Sequence, residues 1–245
     1  MSTFLLVHGA WSGGWAWKKL RPLLRARGHD VFTPTLTGLG ERVHLARPDV
    51  DLALHVEDIL GVLACEDLKN AILVGHNYSG MVVTGVADRA GERVAGVVYL
   101  DAFVPRDGQS MAELVGPQAL AARVEAQRSV GDGWRVPPTA LPPDTSAEDV
   151  AWALPRRAMQ PAATFDQVLP LTGAIDLLPR AFVYCTRFSP GDVFRKFAER
   201  ARTEKGWRLD EIDASHNPHL TRPEALAPLL HEIAHELEQK RRARQ

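Results

Sequence analysis

Short runs of β-branched and aliphatic residues alternate with longer helical patterns along most of the chain, and this rhythm limits the fold more than any other feature. Residues 3–7, 29–32, 71–74, 94–100, 181–185 and 208–212 read as strands, mostly apolar on both faces, as strands inside a parallel sheet must be. Leu52, Val56, Ile59, Leu60 and Leu63 recur at helical spacing and predict a helix over 51–65. A helix over 17–27 is expected to stop at Gly28, and one over 223–240 to start with proline in its first turn after Thr221. The expected class is α/β, a mostly parallel twisted sheet flanked by helices.

One stretch breaks the rhythm. From Val104 to about Leu178 the chain is rich in proline, carries broken helical patterns such as 147–159, and shows no convincing central strand. Trp134, Trp152 and Phe165 make it too apolar for a solvated linker. It reads as a mainly helical cap (104–178) inserted into a single core built from 1–103 and 179–245, a size that α/β folds often close around one core.

Charge excludes several partners. The 29 Lys and Arg nearly cancel the 30 Asp and Glu, leaving a net −1, so no field favours nucleic acid or an anionic membrane. No apolar run approaches the roughly 18–20 residues of a membrane span, and a strand begins at Thr3 without a charged leader, so no targeting segment is expected. Cys65 and Cys185 each lie in an apolar run and are expected to be buried, inert thiols in a reducing, cytoplasmic setting. The basic tail Lys240, Arg241, Arg242 and Arg244 reads as a solvated helix end. No cofactor or metal is expected, because Gly9 to Gly14 lacks the dinucleotide glycine pattern and no His, Cys or carboxylate cluster has ligand spacing. A small-molecule substrate is the expected partner, and a homodimer stays open.

The chemistry concentrates at three places. The third strand runs through Gly75-His76-Asn77-Tyr78-Ser79-Gly80 into a helix over 81–89, the strand, sharp turn and helix of a nucleophile elbow. Gly75 and Ser79 are the small residues on either side of position 77. The first strand ends in His8-Gly9-Ala10-Trp11, where backbone N–H groups can face an oxyanion; Ala10 and Tyr78 N–H are the expected pair. Of the nine histidines, His216 alone follows the last strand within a few residues, in elbow-then-histidine order.

These pieces resemble the α/β-hydrolase superfamily, in particular its branch of plant methyl esterases, hydroxynitrile lyases and bacterial pyrethroid-type esterases. The resemblance rests on Phe4-Leu5-Leu6-Val7-His8-Gly9-Ala10-Trp11 with Gly14-Trp15-Ala16-Trp17, Leu36-Thr37-Gly38-Leu39-Gly40-Glu41-Arg42, Leu73-Val74-Gly75-His76, Val98-Tyr99-Leu100-Asp101-Ala102-Phe103-Val104-Pro105, and His216 with Thr221-Arg222-Pro223-Glu224. It implies an α/β-hydrolase fold and ester or lactone hydrolysis of a small apolar or aromatic substrate. Trp11, His76, Phe103, Trp134 and Trp152 are the expected substrate contacts.

Two departures follow from that resemblance. The elbow position, serine in that family, is Asn77, whose amide nitrogen has no free lone pair for a histidine to activate. Ser79 does not replace it, since it occupies the small position after the turn. In the resembling esterases an acid closely follows the strand after the cap, whereas here the first carboxylate after that strand is Asp192. Some haloalkane dehalogenases, which share the fold, carry their acid where Asp101 stands. Asp101 is therefore expected to orient His216, with Asp192 as runner-up.

Three readings compete. Asn77 replaces the serine of an ester or lactone hydrolase; or His216 and its aspartate drive non-covalent acid/base chemistry with Asn77 as hydrogen-bond donor; or the pocket is a receptor without turnover. The first ranks above the second and the receptor last, since a pure binding protein would not need His8, His216, Asp101 and the oxyanion loop intact. A plant-style hydroxynitrile lyase is disfavoured, because the lysine expected after the histidine is Asn217.

Overall fold

The computed structural model describes residues 1–187 and 192–243. Eight strands occur in chain order: β1 (Thr3–Val7), β2 (Asp30–Phe32), β3 (Ala71–Asn77), β4 (Val94–Ala102), β5 (Arg135–Val136), β6 (Gln160–Pro161), β7 (Arg180–Cys185) and β8 (Trp207–Ile212). Six of them form one sheet in the order β2-β1-β3-β4-β7-β8, with every pairing parallel.

Both faces of this sheet are covered, and the period-2 alternation of the strands assigns each side chain to a face. Leu5, Val7, Leu73 and Val97 pack on one side with the helices Leu52–Cys65, Ser79–Arg89 and Arg195–Thr203. Phe4, Leu6, Ile72 and Val98 pack on the other with Leu20–Arg25 and Pro223–Arg242, whose Leu226, Leu230, Ile233 and Leu237 are fully buried. Asp51 caps its helix by accepting from Leu54 N–H at 2.9 Å, which fixes the start of the run of Leu52, Val56 and Ile59.

The expected boundaries shift in places. Residues 14–17 form a tight 3-10 turn, and the following helix is only Leu20–Arg25, since Pro22 is tolerated in a first turn but not in a longer interior. Cys65 is exposed rather than buried, because its helix presents that position to solvent at its last turn; Cys185 is buried in β7. The segment between β4 and β7 adds no strand to the main sheet. It does hold a short antiparallel pair, β5 with β6, that its sequence pattern concealed, and its helix over Ala147–Ala153 is capped by Ser146 and ends in a tight turn at Pro155. Arg244 of the basic tail lies outside the described residues. Among the described residues, no helix is long and apolar enough to cross a membrane.

Two glycines carry the turn after β3. A Cβ on Gly75 would stand 2.6 Å from the Val83 side chain and 2.8 Å from Ser79 O, and one on Gly80 would stand 2.0 Å from Phe103 O. The turn and the end of β4 therefore approach as closely as bare backbone allows. Gly80→Ala is expected to destabilise the protein by about 1–3 kcal/mol through overpacking against an immovable carbonyl. Gly61→Ala, in a helix interior with nothing within 4 Å, is expected to stabilise it by up to about 1 kcal/mol. Urea midpoints of the two variants moving in the same direction would contradict this account.

Candidate active site

β3 ends by turning Asn77 into the left-handed region, φ 55°, with an irregularity in its pairing to β4 between His76 and Asn77. The helix begins at Ser79, two residues earlier than its sequence pattern indicates. Ser79 Oγ is fully buried in the turn, donating to Val7 O at 2.6 Å and accepting from His76 N–H at 2.8 Å. That hydroxyl staples the elbow to β1 and does not bond His216.

Asn77, His216 and Asp101 come together. His216 Nδ1 donates to Asp101 Oδ2 at 2.6 Å, Asn77 Nδ2 donates to His216 Nε2 at 2.7 Å, and Ala10 N–H donates to Asn77 Oδ1 at 3.4 Å. The amide orientation follows from its neighbours, since a backbone N–H must face oxygen and an imidazole with its proton on Nδ1 offers only an acceptor at Nε2. Asp101 is also in the left-handed region, φ 43°, and its second oxygen accepts from Cys185 N–H at 3.3 Å. Burial raises its carboxyl above the usual range, partly opposed by the His216 bond. Asp192 does not bond His216; it accepts from Tyr184 OH at 2.6 Å and from Phe194 and Arg195 N–H. Residues 188–191, whose length bore on that choice, lie outside the described residues.

Tyr78 separates into two parts. Its backbone follows Asn77, but its N–H makes no bond to Asn77 Oδ1, and its buried phenol points away to donate to His55 Nδ1 at 2.9 Å. Burial raises that phenol well above its ordinary value.

A cavity of about 750 Å³ opens over these groups, walled by β-strand ends, by the loop after β1 and by the inserted segment. Trp11, His76 and Phe103 line it; Trp134 and Trp152 do not. Trp152 stands edge-on to Trp15 under Lys18 and Arg156, and Trp134 lies beneath Arg135. Phe194, which no sequence motif announces, stacks on the His216 ring at 4.8 Å and 9°. Met111, Phe165 and Arg157 also join the wall. An aromatic beyond Asp192 was the only signal for Phe194, and aromatics are more often core.

Four further histidines surround the site as neutral, buried groups. His8 donates from Nδ1 to Gly9 O at 2.9 Å and accepts Leu36 N–H on Nε2 at 3.1 Å, and burial lowers it to about 4. His76 donates to His216 O at 2.7 Å and is held well below its ordinary value, by burial first and then by His219 and His216. His219, against Trp17 at 4.7 Å, is lowered by burial to about 3, and its Nδ1 has no partner. His55, whose Nε2 donates to Thr37 O at 2.8 Å, is lowered mainly by burial as well. Among the described residues, no three His, Cys, Asp or Glu side chains converge as metal ligands.

Residues 4–229 match the alpha/beta hydrolase family. The chain belongs to that family. It is 38% identical over 240 residues to the carbendazim hydrolyzing esterase of Nocardioides sp. (strain SG-4G), an alignment covering 94% of this chain and 98% of that one. The pyrethroid hydrolase of Sphingobium wenxiniae is 25% identical over 253 residues, covering 96% of this chain and 88% of its own. An extracellular alpha/beta-hydrolase from a Paenibacillus species, described as sharing structural and functional homology with tobacco salicylic acid binding protein 2, superposes with a TM-score of 0.82 at 25% identity, over 95% of this chain and 99% of that one.

The buried histidines of this alpha/beta hydrolase set its response to acid. Each has a folded-state pKa below the roughly 6.5 of an unfolded histidine, so its contribution is complete above that pH and is lost as pH falls towards about 4 for His8 and about 3 for His219. At pH 5 the loss is roughly 2 kcal/mol each for His8 and His219. Unfolding free energy is expected to fall steeply between pH 7 and 5, with a slope reduced by about one proton in His219→Phe. Equal stability at the two pH values would refute it.

Proposed function

We propose that this chain carries the machinery of a small-substrate ester or lactone hydrolase in which Asn77 occupies the nucleophile position. The observation that carries the reading is the Asn77 amide, held between the Ala10 N–H and the Nε2 of an aspartate-backed histidine. A hydroxyl at that position would have its proton taken by His216, with Asp101 stabilising the imidazolium, while Ala10 and Tyr78 N–H face the developing oxyanion. The asparagine amide offers no lone pair for attack, and its N–H occupies the base, so the covalent route is closed as the sequence stands. Residues 104–178 act as a cap that shields the cavity from water. Phe103, Met111, Phe165 and Phe194 give that cavity walls suited to an apolar or aromatic substrate, in keeping with relatives described as a carbendazim hydrolyzing esterase and a pyrethroid hydrolase.

Turnover of 4-nitrophenyl acetate and butyrate by the parent chain, His216→Ala, Asn77→Ser, and Asn77→Ser with His216→Ala tests the reading. Restoring the hydroxyl is expected to raise kcat by several orders of magnitude, since removing such a serine typically costs roughly 10⁶-fold. Adding His216→Ala is expected to abolish the gain. A parent chain that already turns over ester, loses this with His216→Ala and gains nothing from serine would replace the reading with histidine-driven proton transfer. No turnover in any variant, with ligand binding retained, would leave a receptor.

A further inference from the structure

Among the described residues three arginines line the cavity, and their partners differ. Arg123 pairs with Asp166, and Arg187 pairs with Asp144 and Asp213. Among the described residues Arg157 has no carboxylate partner: Nη1 donates to the Thr139 carbonyl, and the guanidinium lies over the Trp11 ring, 5.6 Å from its centroid. The carboxylates lining the same cavity among the described residues are already committed, Asp101 to His216 and Asp192 to Tyr184. Burial without an offsetting acid draws Arg157 down to about 10, which still leaves it charged at neutral pH.

A guanidinium has five N–H donors in one plane, and here a single carbonyl takes up one of its nitrogens. The guanidinium carbon lies over the Trp11 ring, and the carbonyl bond leaves further N–H donors for a ligand. A cation partly stripped of water gains most from an acceptor that brings negative charge, because such bonds are roughly twice as strong as neutral ones. The register to the elbow is set by the backbone: Ala158 N–H, next to Arg157, donates to Trp11 O at 3.0 Å, and Trp11 follows Ala10.

We propose that Arg157 is a specificity residue that receives a carboxylate of the ligand, so that the site selects apolar or aromatic molecules bearing a free carboxylate. That such molecules are esters rests on the hydrolytic reading above; recognition of the anion does not.

Calorimetric titration of the parent chain with 4-phenylbutyrate and its neutral isostere 4-phenylbutyramide tests this without turnover. The carboxylate is expected to bind at least 10-fold tighter. Arg157→Gln is expected to erase that preference while leaving amide affinity within 2-fold, and Arg157→Lys to retain part of it. Each variant is first checked by near-ultraviolet circular dichroism and by its thermal midpoint; should Arg157→Gln not fold, the same comparison in Arg157→Lys, with a smaller but measurable loss of preference, decides. A preference that survives Arg157→Gln, as a carboxylate seated against His216 would give, overturns the assignment. So does no preference, including no binding of either probe at millimolar concentration. If Asn77→Ser gives no esterase while the Arg157-dependent preference holds, the hydrolytic reading fails and this one stands; esterase activity without the preference is the reverse.

Discussion

Three non-glycine residues adopt left-handed backbone conformations where the chain leaves the sheet, and the site depends on them: Trp11 at φ 62°, Asn77 at 55° and Asp101 at 43°. Each such residue costs on the order of 1–3 kcal/mol and persists only where its surroundings over-determine it. Asn77 O accepts from Phe103 N–H at 3.1 Å, and Asp101 is held by Cys185 N–H and His216. At Trp11 the N–H, carbonyl and indole N–H are all engaged, by Gln160, Ala158 and Val136. Without these bends the three positions would continue the pleat and point alternately into the two cores. With them, Asn77 and Asp101 project from neighbouring strands towards one histidine.

The residue at the elbow also decides how the hydrogen bonds of the site are arranged. Asp101, His216, Asn77 and Ala10 form a chain in which every polar group finds a partner, and its links are unequal at 2.6, 2.7 and 3.4 Å. The weak link is the one to Ala10, so a ligand carbonyl entering there displaces at most a poor hydrogen bond, worth less than the ~1 kcal/mol of an ordinary one. The strong link occupies the imidazole lone pair. A serine would satisfy the same lone pair but leave Ala10 N–H open, which separates a base occupied by an amide from a base poised beside a hydroxyl.

Much of this was legible because it depends on local pattern. Apolar runs buried on both faces announce parallel strands, and Gly75 with the following small residues announces the tight turn, so fold and elbow follow from a few short segments. The bond between Asp101 and His216 was legible through the resemblance, since some proteins that share the fold carry their acid at the end of that strand. What sequence pattern could not carry is packing between distant segments. Trp134 and Trp152 have the composition of a ligand wall, yet cation–π and edge contacts engage them away from the cavity lining. Phe194 and Arg157 have no motif, since their roles arise only when the fold sets them over His216 and Trp11. The requirement for glycine at position 80 comes from a carbonyl more than twenty residues away.

The inserted segment is bound into the reactive geometry on two sides. On one, fully buried Gln160 accepts Trp11 N–H at 2.9 Å and donates to Thr164 Oγ1 at 2.9 Å, tying the loop that carries Ala10 to the β5–β6 pair. On the other, Asp144 bonds Ser215, the residue before His216, and pairs with Arg187. An apolar residue in place of Gln160 would strand a buried N–H, a cost of about 1–3 kcal/mol, and would free the strained turn at Trp11 that aims its neighbour's N–H at residue 77. Lifting the segment away would therefore do more than admit water. It would release the loops carrying Ala10 and His216 together, so the cavity cannot open widely here without dispersing the groups that line its floor.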